Sequence, residues 1–354
     1  MLILDTYTLS SALPESFTVS TDQGEAYVDI DIRLEEEVIY TTRLYGDANG
    51  ICTFYELRQI VEQNMIARNL ILASFAVTIA HEHGGEEYED KYIIFSRYKC
   101  ADRYTLDFLE SHFLVSRASY VIPRKIYGSV PFFATAEEDV SPYLDCVFEK
   151  DGELSNYRLE NSLYHYNKPS VYYITLSPET IKARVDNEEG EDCGTLRSFA
   201  VHAGSRSLTV YVVDEEPCIQ FCFRNCYNAE EMMPVFGTTT LKTEISRKEA
   251  VSGDVISFYD KSVSRKWQVK TVPLNQEEAR WYNEFLESDY VYLELNQDFN
   301  DLRILISDIT SEISDSAKDL VHIKFSWRFE DNSIWLDEDR LPQVFSAPYN
   351  DTFK

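Results

Sequence analysis

"AYVDIDIRL", residues 26–34, alternates apolar and charged side chains with a period of two residues. Its apolar positions are Val28, Ile30 and Ile32, and its charged positions are Asp29, Asp31 and Arg33. Successive side chains of a β-strand point to opposite faces of a sheet, so this alternation places the apolar groups on one face. The stretch therefore predicts a half-buried strand of an antiparallel sheet.

The same period recurs along the 354 residues. Residues 69–98 predict two long strands joined at Gly84-Gly85, and residues 142–159 predict a hairpin that turns at Asp151-Gly152. The 24 Tyr and 20 Phe, against 12 Gly, also favour strands, because aromatic side chains suit a half-buried pleated surface. The sequence predicts a mainly β fold of several antiparallel, immunoglobulin-like β-sandwich modules with two short helices.

Two segments carry helix signals instead. Thr53 and Glu56 have the spacing of a capping box, and they predict a helix over Phe54–Ala67 with one apolar face formed by Leu57, Ile60, Val61 and Met65. Asn275 is suited to cap a second helix over Gln276–Leu286, whose apolar stripe is formed by Trp281, Tyr282, Phe285 and Leu286. We expect each helix to pack on a sheet.

Composition divides the chain into three predicted domains. The acidic, proline-ended stretch Asp214–Pro217 separates two strong strand patterns, and a second break lies near residue 115. We therefore predict β-rich modules at residues 1–115, 116–213 and 214–354, the first and third with one helix each. The stretch Val185–Gly194 is interpreted as an acidic loop within the second module. No repeat of 20 to 50 residues is visible, which disfavours a solenoid or propeller.

The formal charge of −28 excludes most nucleic-acid partners, since phosphate backbones repel an acidic surface. A local basic patch opposes this field at Lys261, Arg265, Lys266 and Lys270. The N-terminus lacks a basic region followed by a long apolar core, so no secretory signal is expected. No run of about 18 apolar residues occurs, so no membrane association is expected.

Three of the seven cysteines, Cys218, Cys222 and Cys226, are spaced four residues apart. The surrounding alternation of Ile219, Phe221 and Phe223 predicts a strand, on which neighbours four apart are roughly 13 Å from each other. Thiolates that share a zinc each lie about 2.3 Å from it, and bridged cysteines have Cα atoms within about 7 Å. We therefore interpret the three cysteines as packing residues, neither metal ligands nor a disulfide set.

His81 and His83 form the remaining candidate metal site. They would share a strand face, with several carboxylates just beyond the turn at Gly84-Gly85, and imidazole with carboxylate is a common ligand set. A solvated hairpin end explains the same residues in a protein with 61 acidic residues. No phosphate-binding loop, nucleophile elbow or H-E-x-x-H motif is found, so no catalytic residue and no cofactor is predicted.

The C-terminal arm, Glu330–Lys354, has neither strand alternation nor a capped helical stripe. It is nevertheless rich in apolar residues, and two prolines favour an extended course. In one interpretation the arm folds back over its own module. In the other, Trp335, Leu336 and Phe345 anchor it on a neighbouring subunit, as aromatic hot spots do in interfaces.

Part of the chain also resembles known proteins. The segment "FCFRNCYNAEEMMPVFGTTTLKTEISRKEAVSG", followed by "KWQVKTVPLNQEEARWYNEFLESDYVYLE", resembles uncharacterised prophage-borne tail or virion structural proteins of gut Bacteroidetes. The resemblance covers roughly Ile219 to Glu294 and implies a structural protein of a tail-like assembly. It brings no active-site residues with it.

Three functions follow in order of preference. The first is a non-enzymatic structural or interaction protein of a phage-tail-like assembly, located in the cytoplasm before assembly or in the particle, with protein partners and self-association through the C-terminal arm. The second is a glycan-binding β-sandwich protein that uses exposed aromatics such as those of "LYHYNKPSVYY", residues 163–173. The third is a metal-dependent hydrolase centred on His81 and His83.

Overall fold

The computed structural model describes residues 4–21, 26–83, 86–98, 105–135, 139–160, 164–165, 169–252, 254–293, 302–311 and 320–330. Most of these residues lie in strands, which confirms the prediction of a mainly β fold built from several antiparallel sheets. Four hydrophobic cores are found among these residues, and one of them, which includes Leu9, Phe133 and Cys226, joins distant parts of the chain. The other three are formed by side chains from residues 13–95, 113–212 and 219–329. We refer to the parts of the chain that build them as the first, second and third units.

The first unit is a sandwich of two sheets. Its elements are β1 (Tyr7–Leu9), β2 (Ser16–Ser20), β3 (Tyr27–Leu34), β4 (Glu37–Tyr45), β5 (Ile51–Tyr55), α1 (Leu57–Ala67), β6 (Leu72–His81) and β7 (Glu86–Ile94). The larger sheet has the order β1-β7-β6-β3-β4, and β2 pairs with β5 in the smaller one. Val28, Ile30 and Ile32 of β3 are fully buried, so the period-two pattern correctly identifies the core-facing side.

The second unit repeats this topology after a short connecting helix, α2 (Thr105–Ser111). Its elements are β8 (Ser119–Pro123), β9 (Gly128–Ala134), β10 (Asp139–Val140), β11 (Tyr143–Lys150), β12 (Glu153–Glu160), β13 (Tyr164–His165), β14 (Ser170–Leu176), α3 (Pro178–Glu189), β15 (Thr195–Ala203) and β16 (Arg206–Val213). The larger sheet has the order β12-β11-β15-β16-β8, β9 pairs with β14, and β10 pairs with β13.

Strand by strand, the first two units correspond. In each, the first strand runs parallel to the last, two hairpins form the centre of the larger sheet, and a helix follows the second strand of the smaller sheet. This is the C′-C-F-G and B-E pairing of immunoglobulin-type sandwiches. Equivalent residues such as Asp29 and Asp145 lie more than 100 residues apart, so the repeat lies outside the 20–50 residue period considered above.

The third unit is one seven-stranded sheet with a helix packed on it. Its elements are β17 (Ile219–Arg224), β18 (Glu230–Val235), β19 (Gly237–Ser252), β20 (Val255–Thr271), α4 (Gln276–Leu286), β21 (Val291–Leu293), β22 (Leu302–Thr310) and β23 (Lys324–Phe329). The sheet order is β18-β17-β21-β22-β23-β20-β19. The edge strand β19 therefore contacts the sheet through β20.

The predicted helix α4 is confirmed with its bounds. The Asn275 side chain accepts a hydrogen bond from the Glu278 amide, and the Glu278 carboxylate accepts one from the Asn275 amide. Together they satisfy two backbone donors that the first turn of a helix leaves open. The predicted stripe of Trp281, Tyr282 and Phe285 is buried against the third core.

The predicted start of the first helix is wrong. Helix α1 begins at Leu57, and Thr53 and Phe54 belong to β5. Phe54 is buried and stacks on Phe17 across the β2–β5 pair. Glu56 adopts a left-handed conformation with φ of 66° and makes no side-chain cap. Tertiary pairing of β5 thus overrides the local capping pattern.

Two helices are present that the sequence analysis does not predict, α2 and α3. Helix α3 has the start signals of Ser177 as N-cap, which accepts a hydrogen bond from the Thr180 amide, and Pro178 in the first turn. The predicted acidic loop Val185–Gly194 is therefore wrong in its first half, because Val185–Glu189 are the last residues of this helix. Gly190 caps the helix with φ of 75°. No helix in the described ranges is both long and apolar enough to cross a bilayer.

Candidate interaction surface

The strands β19 and β20 form a long hairpin whose base belongs to the third core. At the base, β20 pairs with β23 over Trp267–Lys270. The rings of Trp267 and Trp327 stack with their centroids 4.4 Å apart, and both are buried. A Cβ on Gly237 would lie 2.2 Å from the Lys270 carbonyl oxygen, at a φ of 149° that side chains rarely adopt. Close packing therefore fixes the base.

Beyond this base the hairpin is solvent-exposed on both strands. Every residue from Leu241 to Glu249, and every residue from Ile256 to Val263, is exposed. At about 3.3 Å per residue, residues 241–252 extend roughly 40 Å. We call the part of the hairpin beyond the base, residues 241–252 and 254–265, the arm. The stretches TTTLKTEI, DVISFYD and RKWQVKTV each have the alternation of a separate strand in the sequence, and the structure joins them into one long pair of strands.

One face of the arm is apolar. Leu241 lies opposite Trp267 and Ile245 opposite Val263, so these side chains continue the core-facing side of the sheet outward. A bulge lies between Lys248 and Glu249, where Tyr259 is an extra residue on β20. Because of this extra residue, Ile256 and Phe258 lie on the same face as Ile245 and Val263. The apolar stripe consists of Leu241, Ile245, Ile256, Phe258 and Val263, whose exposed fractions range from 41% to 65%. The opposite face carries Ser246, Ser257, Ser262 and Ser264 among charged residues.

The arm and its base are basic although the chain is acidic. Residues 237–271 contain seven Lys or Arg and four Asp or Glu, which gives +3, and the remaining residues therefore carry −31. The predicted basic patch lies on β20. On the apolar face, Arg247 lies directly opposite Lys261, and like charges in this position destabilise a strand pair. The arm itself has five Lys or Arg and four Asp or Glu, which gives +1, and Lys266 and Lys270 of the base supply the rest. The arm thus presents apolar surface together with a small excess of positive charge.

A buried polar cluster fixes the third unit against the second. The Arg117 guanidinium lies between the rings of Tyr120 and Trp281, 3.2 and 3.1 Å from their centroids. Its Nη2 is 3.1 Å from Oε1 of Glu231, which is almost fully buried. Burial raises the pKa of Glu231, Arg117 opposes this rise, and the nearby Glu284 adds to it. Because such groups are costly to separate, the cluster holds the two units in one orientation.

The turn after β17 connects the same cluster to all three units. The Asn225 side chain donates hydrogen bonds to the Leu114 carbonyl at 2.9 Å and to Oε2 of Glu231 at 3.1 Å. The Cys226 amide donates to Oε1 of Glu284 at 2.7 Å. The Asn228 side chain donates to the Leu70 carbonyl of the first unit at 3.0 Å. The direction of the arm is therefore set relative to the whole molecule.

The first sandwich carries a charged cluster on its outer face. Arg43 donates two hydrogen bonds to Asp29, at 2.7 and 2.8 Å. The Arg43 guanidinium also lies 3.8 Å from the ring centroid of Tyr27. The hydrogen bonds from Arg43 lower the pKa of Asp29.

The second sandwich has the same cluster at equivalent positions. Arg158 donates to both oxygens of Asp145, at 2.8 and 3.2 Å, and lies 4.5 Å from the Tyr143 ring centroid. The ring of His202 also stacks on the ring of Tyr143, with the two centroids 4.5 Å apart. Neither cluster is predicted from the sequence. Both share one sequence pattern, Tyr-x-Asp on one strand and an arginine on the next strand. The residues are Tyr27, Asp29 and Arg43 in the first unit and Tyr143, Asp145 and Arg158 in the second.

His81 and His83 do not share a strand. His81 is the last residue of β6, and His83 is exposed in the turn beyond it. The glycines of the predicted turn, residues 84–85, lie outside the described residues. Over the ranges that the structure describes, no group of three or more His, Cys, Asp or Glu side chains is arranged to hold a metal ion.

The cysteine segment is a strand for part of its length only. Strand β17 spans Ile219–Arg224, so Cys218 lies just before it and Cys226 in the turn that follows it. The three cysteines therefore do not share one strand face as predicted. Cys222 and Cys226 are buried, and Cys218 is partly exposed. Burial and the nearby carboxylates raise the pKa of Cys226 far above its ordinary range. This thiol is therefore protonated at neutral pH, which suits packing better than metal binding.

Trp335, Leu336 and Phe345 of the C-terminal arm lie outside the described residues, so their interface role stays a prediction. Of the aromatic run proposed for glycans, Tyr172 packs against the second core and lies 5.9 Å from Phe132, and Tyr173 is exposed.

A groove of about 980 Å³ lies between the first and second units. Leu70, Leu72 and Val171 supply apolar lining. Glu35 and Glu36 supply acidic lining and Arg33 one basic side chain, so the charged lining is acidic on balance. Both glutamates are exposed and occupy the turn between β3 and β4. The groove therefore combines apolar and acidic surface.

Comparisons with known proteins give little further information. No protein-family model matches the chain, and no curated protein matches it. A solved structure of a 1.5-MDa bacterial ice-binding adhesin aligns over 75% of this chain and 88% of its own, with 10% identity and a TM-score of 0.14. The Bacteroides ovatus SGBP-B, solved with a mixed-linkage heptasaccharide, aligns over 74% and 65%, with 7% identity and a TM-score of 0.16. Scores this low establish neither a shared fold nor a shared function.

Proposed function

We propose that this chain is a non-enzymatic structural protein that joins neighbouring proteins in an assembly, and that its arm makes the contact. The observation that carries the proposal is the apolar stripe on one exposed face of the hairpin. Soluble monomers rarely expose large contiguous apolar surface, and such surface marks sites of interaction. Docking of the arm on a partner removes this surface from water.

The way in which the arm is held suits a mechanical role. Its base is fixed by the stacked Trp267 and Trp327, and the cluster around Arg117 and Glu231 holds the third unit against the second. A preorganised arm loses little conformational freedom on binding, so more of the contact free energy appears as affinity. Rigid presentation of one apolar face is what a connecting element requires.

The finer form of the proposal is an assembly like a phage tail. The resemblance to prophage-borne tail and virion structural proteins supports it, because the resembling segment contains strand β19 and the base of β20. In this form the chain is made in the cytoplasm and becomes part of the particle.

Sedimentation of particles tests this function. The arm variant Ile245→Ser/Ile256→Ser/Phe258→Ser removes the apolar stripe, and the control variant Ser257→Ala/Ser262→Ala/Ser264→Ala alters the opposite face. In cells that encode the chain, we expect the wild type and the control to co-sediment with tail-like particles identified by mass spectrometry, and the arm variant to stay in the low-mass fraction. Wild-type protein found only in the low-mass fraction would contradict the proposed function.

A further inference from the structure

We propose that the partner of the arm is a second copy of this chain, and that the arm of one copy occupies the groove between the first and second units of the next. This inference rests on the proposed function and specifies its partner.

Charge is the first argument for a second copy. The arm and its base carry +3 and the rest of the same chain −31, so every copy supplies both halves of a complementary contact. Arg247 and Lys261 face each other on the apolar side of the arm, and carboxylates from a neighbour relieve this repulsion. At physiological ionic strength the screening length is about 8 Å, so an arm of roughly 40 Å contacts a neighbour without strong repulsion between the two acidic bodies.

The groove matches the arm in both chemical respects. Leu70, Leu72 and Val171 face the stripe with apolar surface, and Glu35 and Glu36 supply the negative charge. A volume of about 980 Å³ is large enough for several side chains. The arm is exposed in its own chain, so it does not fill the groove of the same molecule.

A membrane surface is the competing partner for a basic hairpin with exposed aromatic residues. Asp254 and Asp260 lie near the end of the arm, and carboxylates are costly to insert beside acyl chains. The total charge of −28 also repels the chain from anionic lipid. These charges favour a protein partner.

The proposed contact joins two different surfaces, so it is heterologous. Such contacts close into rings when the rotation permits and otherwise grow into open chains. Growth beyond a dimer with rising concentration is therefore expected.

Sedimentation velocity of the purified full chain over a wide concentration range is the test. We expect wild type and the serine-face control to associate, and the arm variant to associate about tenfold or more weakly. Glu36→Lys, a change in the groove, and Arg247→Glu/Lys261→Glu, a change in the arm, should each weaken association. Mixing these two charge-reversed proteins should restore it, because the reversed arm then meets the reversed groove.

The outcomes separate this inference from the proposed function. If purified wild type stays monomeric at all concentrations but still co-sediments with particles, the partner is a different protein and the second-copy proposal is wrong. If charge-reversed proteins fail to associate when mixed, the groove is not the acceptor. If wild type binds vesicles of anionic lipid and the arm variant does not, while neither self-associates, the arm binds membranes instead.

Discussion

The base and the arm of one hairpin have opposite surroundings although the same two strands form both. At the base, Trp267 is covered by Trp327 and Phe329. In the arm, Ile245 and Phe258 on the same face of the same strands are more than half exposed, although Arg247 lies 5.2 Å from the ring centroid of Phe258. Strand geometry is continuous between them, so pairing alone does not require burial. The base is built as part of the core, and the proposed function assigns the arm to contact with another molecule.

The largest expected effect is at the base. Trp327→Ala removes a fully buried ring that contacts Trp267 and Phe221. Loss of a buried tryptophan typically lowers the free energy of unfolding by about 3–5 kcal/mol. Chemical denaturation followed by fluorescence measures it. If Trp327→Ala lowered the free energy of unfolding by less than about 0.5 kcal/mol, as expected for each substitution in the arm, the base and the arm would not differ as described.

The second effect concerns the cluster that orients the hairpin. The native pKa of Glu231 is raised above the ordinary value of 4.5, so the folded state holds a proton that the unfolded state has lost. The free energy of unfolding should therefore fall as pH rises from 4.5 through the native pKa of Glu231. In Glu231→Gln this contribution is absent, so the fall should be smaller. Denaturation curves at a series of pH values test this, and equal slopes in the two proteins would contradict it.

A smaller effect is expected from the cysteines. Replacing Cys218, Cys222 and Cys226 with Ala removes mostly buried sulfur atoms, and a loss of about 1–3 kcal/mol is expected. Metal content measured by mass spectrometry should not change. Stoichiometric zinc or iron that is present in wild type and lost from the triple variant would show that these residues bind metal.

The smallest effect on stability belongs to the arm. In the monomer, the arm variant Ile245→Ser/Ile256→Ser/Phe258→Ser should change the free energy of unfolding by less than about 0.5 kcal/mol per substitution, as exposed sites generally do. Dilute protein is required, so that association does not add to stability. A loss comparable to that of Trp327→Ala would mean that the arm packs on its own chain.

Local signals predict some elements fully and others not at all. Helix α4 is predicted with its bounds because its capping box and apolar stripe are both local. The start of α1 is not predicted, because Phe54 lies in β5, and β5 pairs with β2, which is distant in sequence. The start signals of α3, Ser177 and Pro178, are present in the sequence. The helix is not predicted, because the acidic residues of its last turns are typical of a solvated loop.

The candidate surface could be predicted only in part. The strands and the basic patch of the arm are visible in the sequence, because alternation and charge are local properties. Its exposure is not, since a period-two pattern shows that a strand has an apolar face without showing what covers it. The small, polar residues Ser262 and Ser264 also divide one long strand into two apparent ones. The groove depends on contacts between separate units, which a single sequence does not reveal.

Amide hydrogen exchange in the hairpin at low and high protein concentration tests the central claim most directly. Backbone amides near Trp267 should be equally protected at both concentrations, because the base is buried within one chain. Amides of residues 241–249 and 256–263 should exchange faster than those of the base in dilute protein, since they are exposed and the hairpin is their only ladder, and they should gain protection as concentration rises. Protection of the arm that equals that of the base at every concentration would contradict the account.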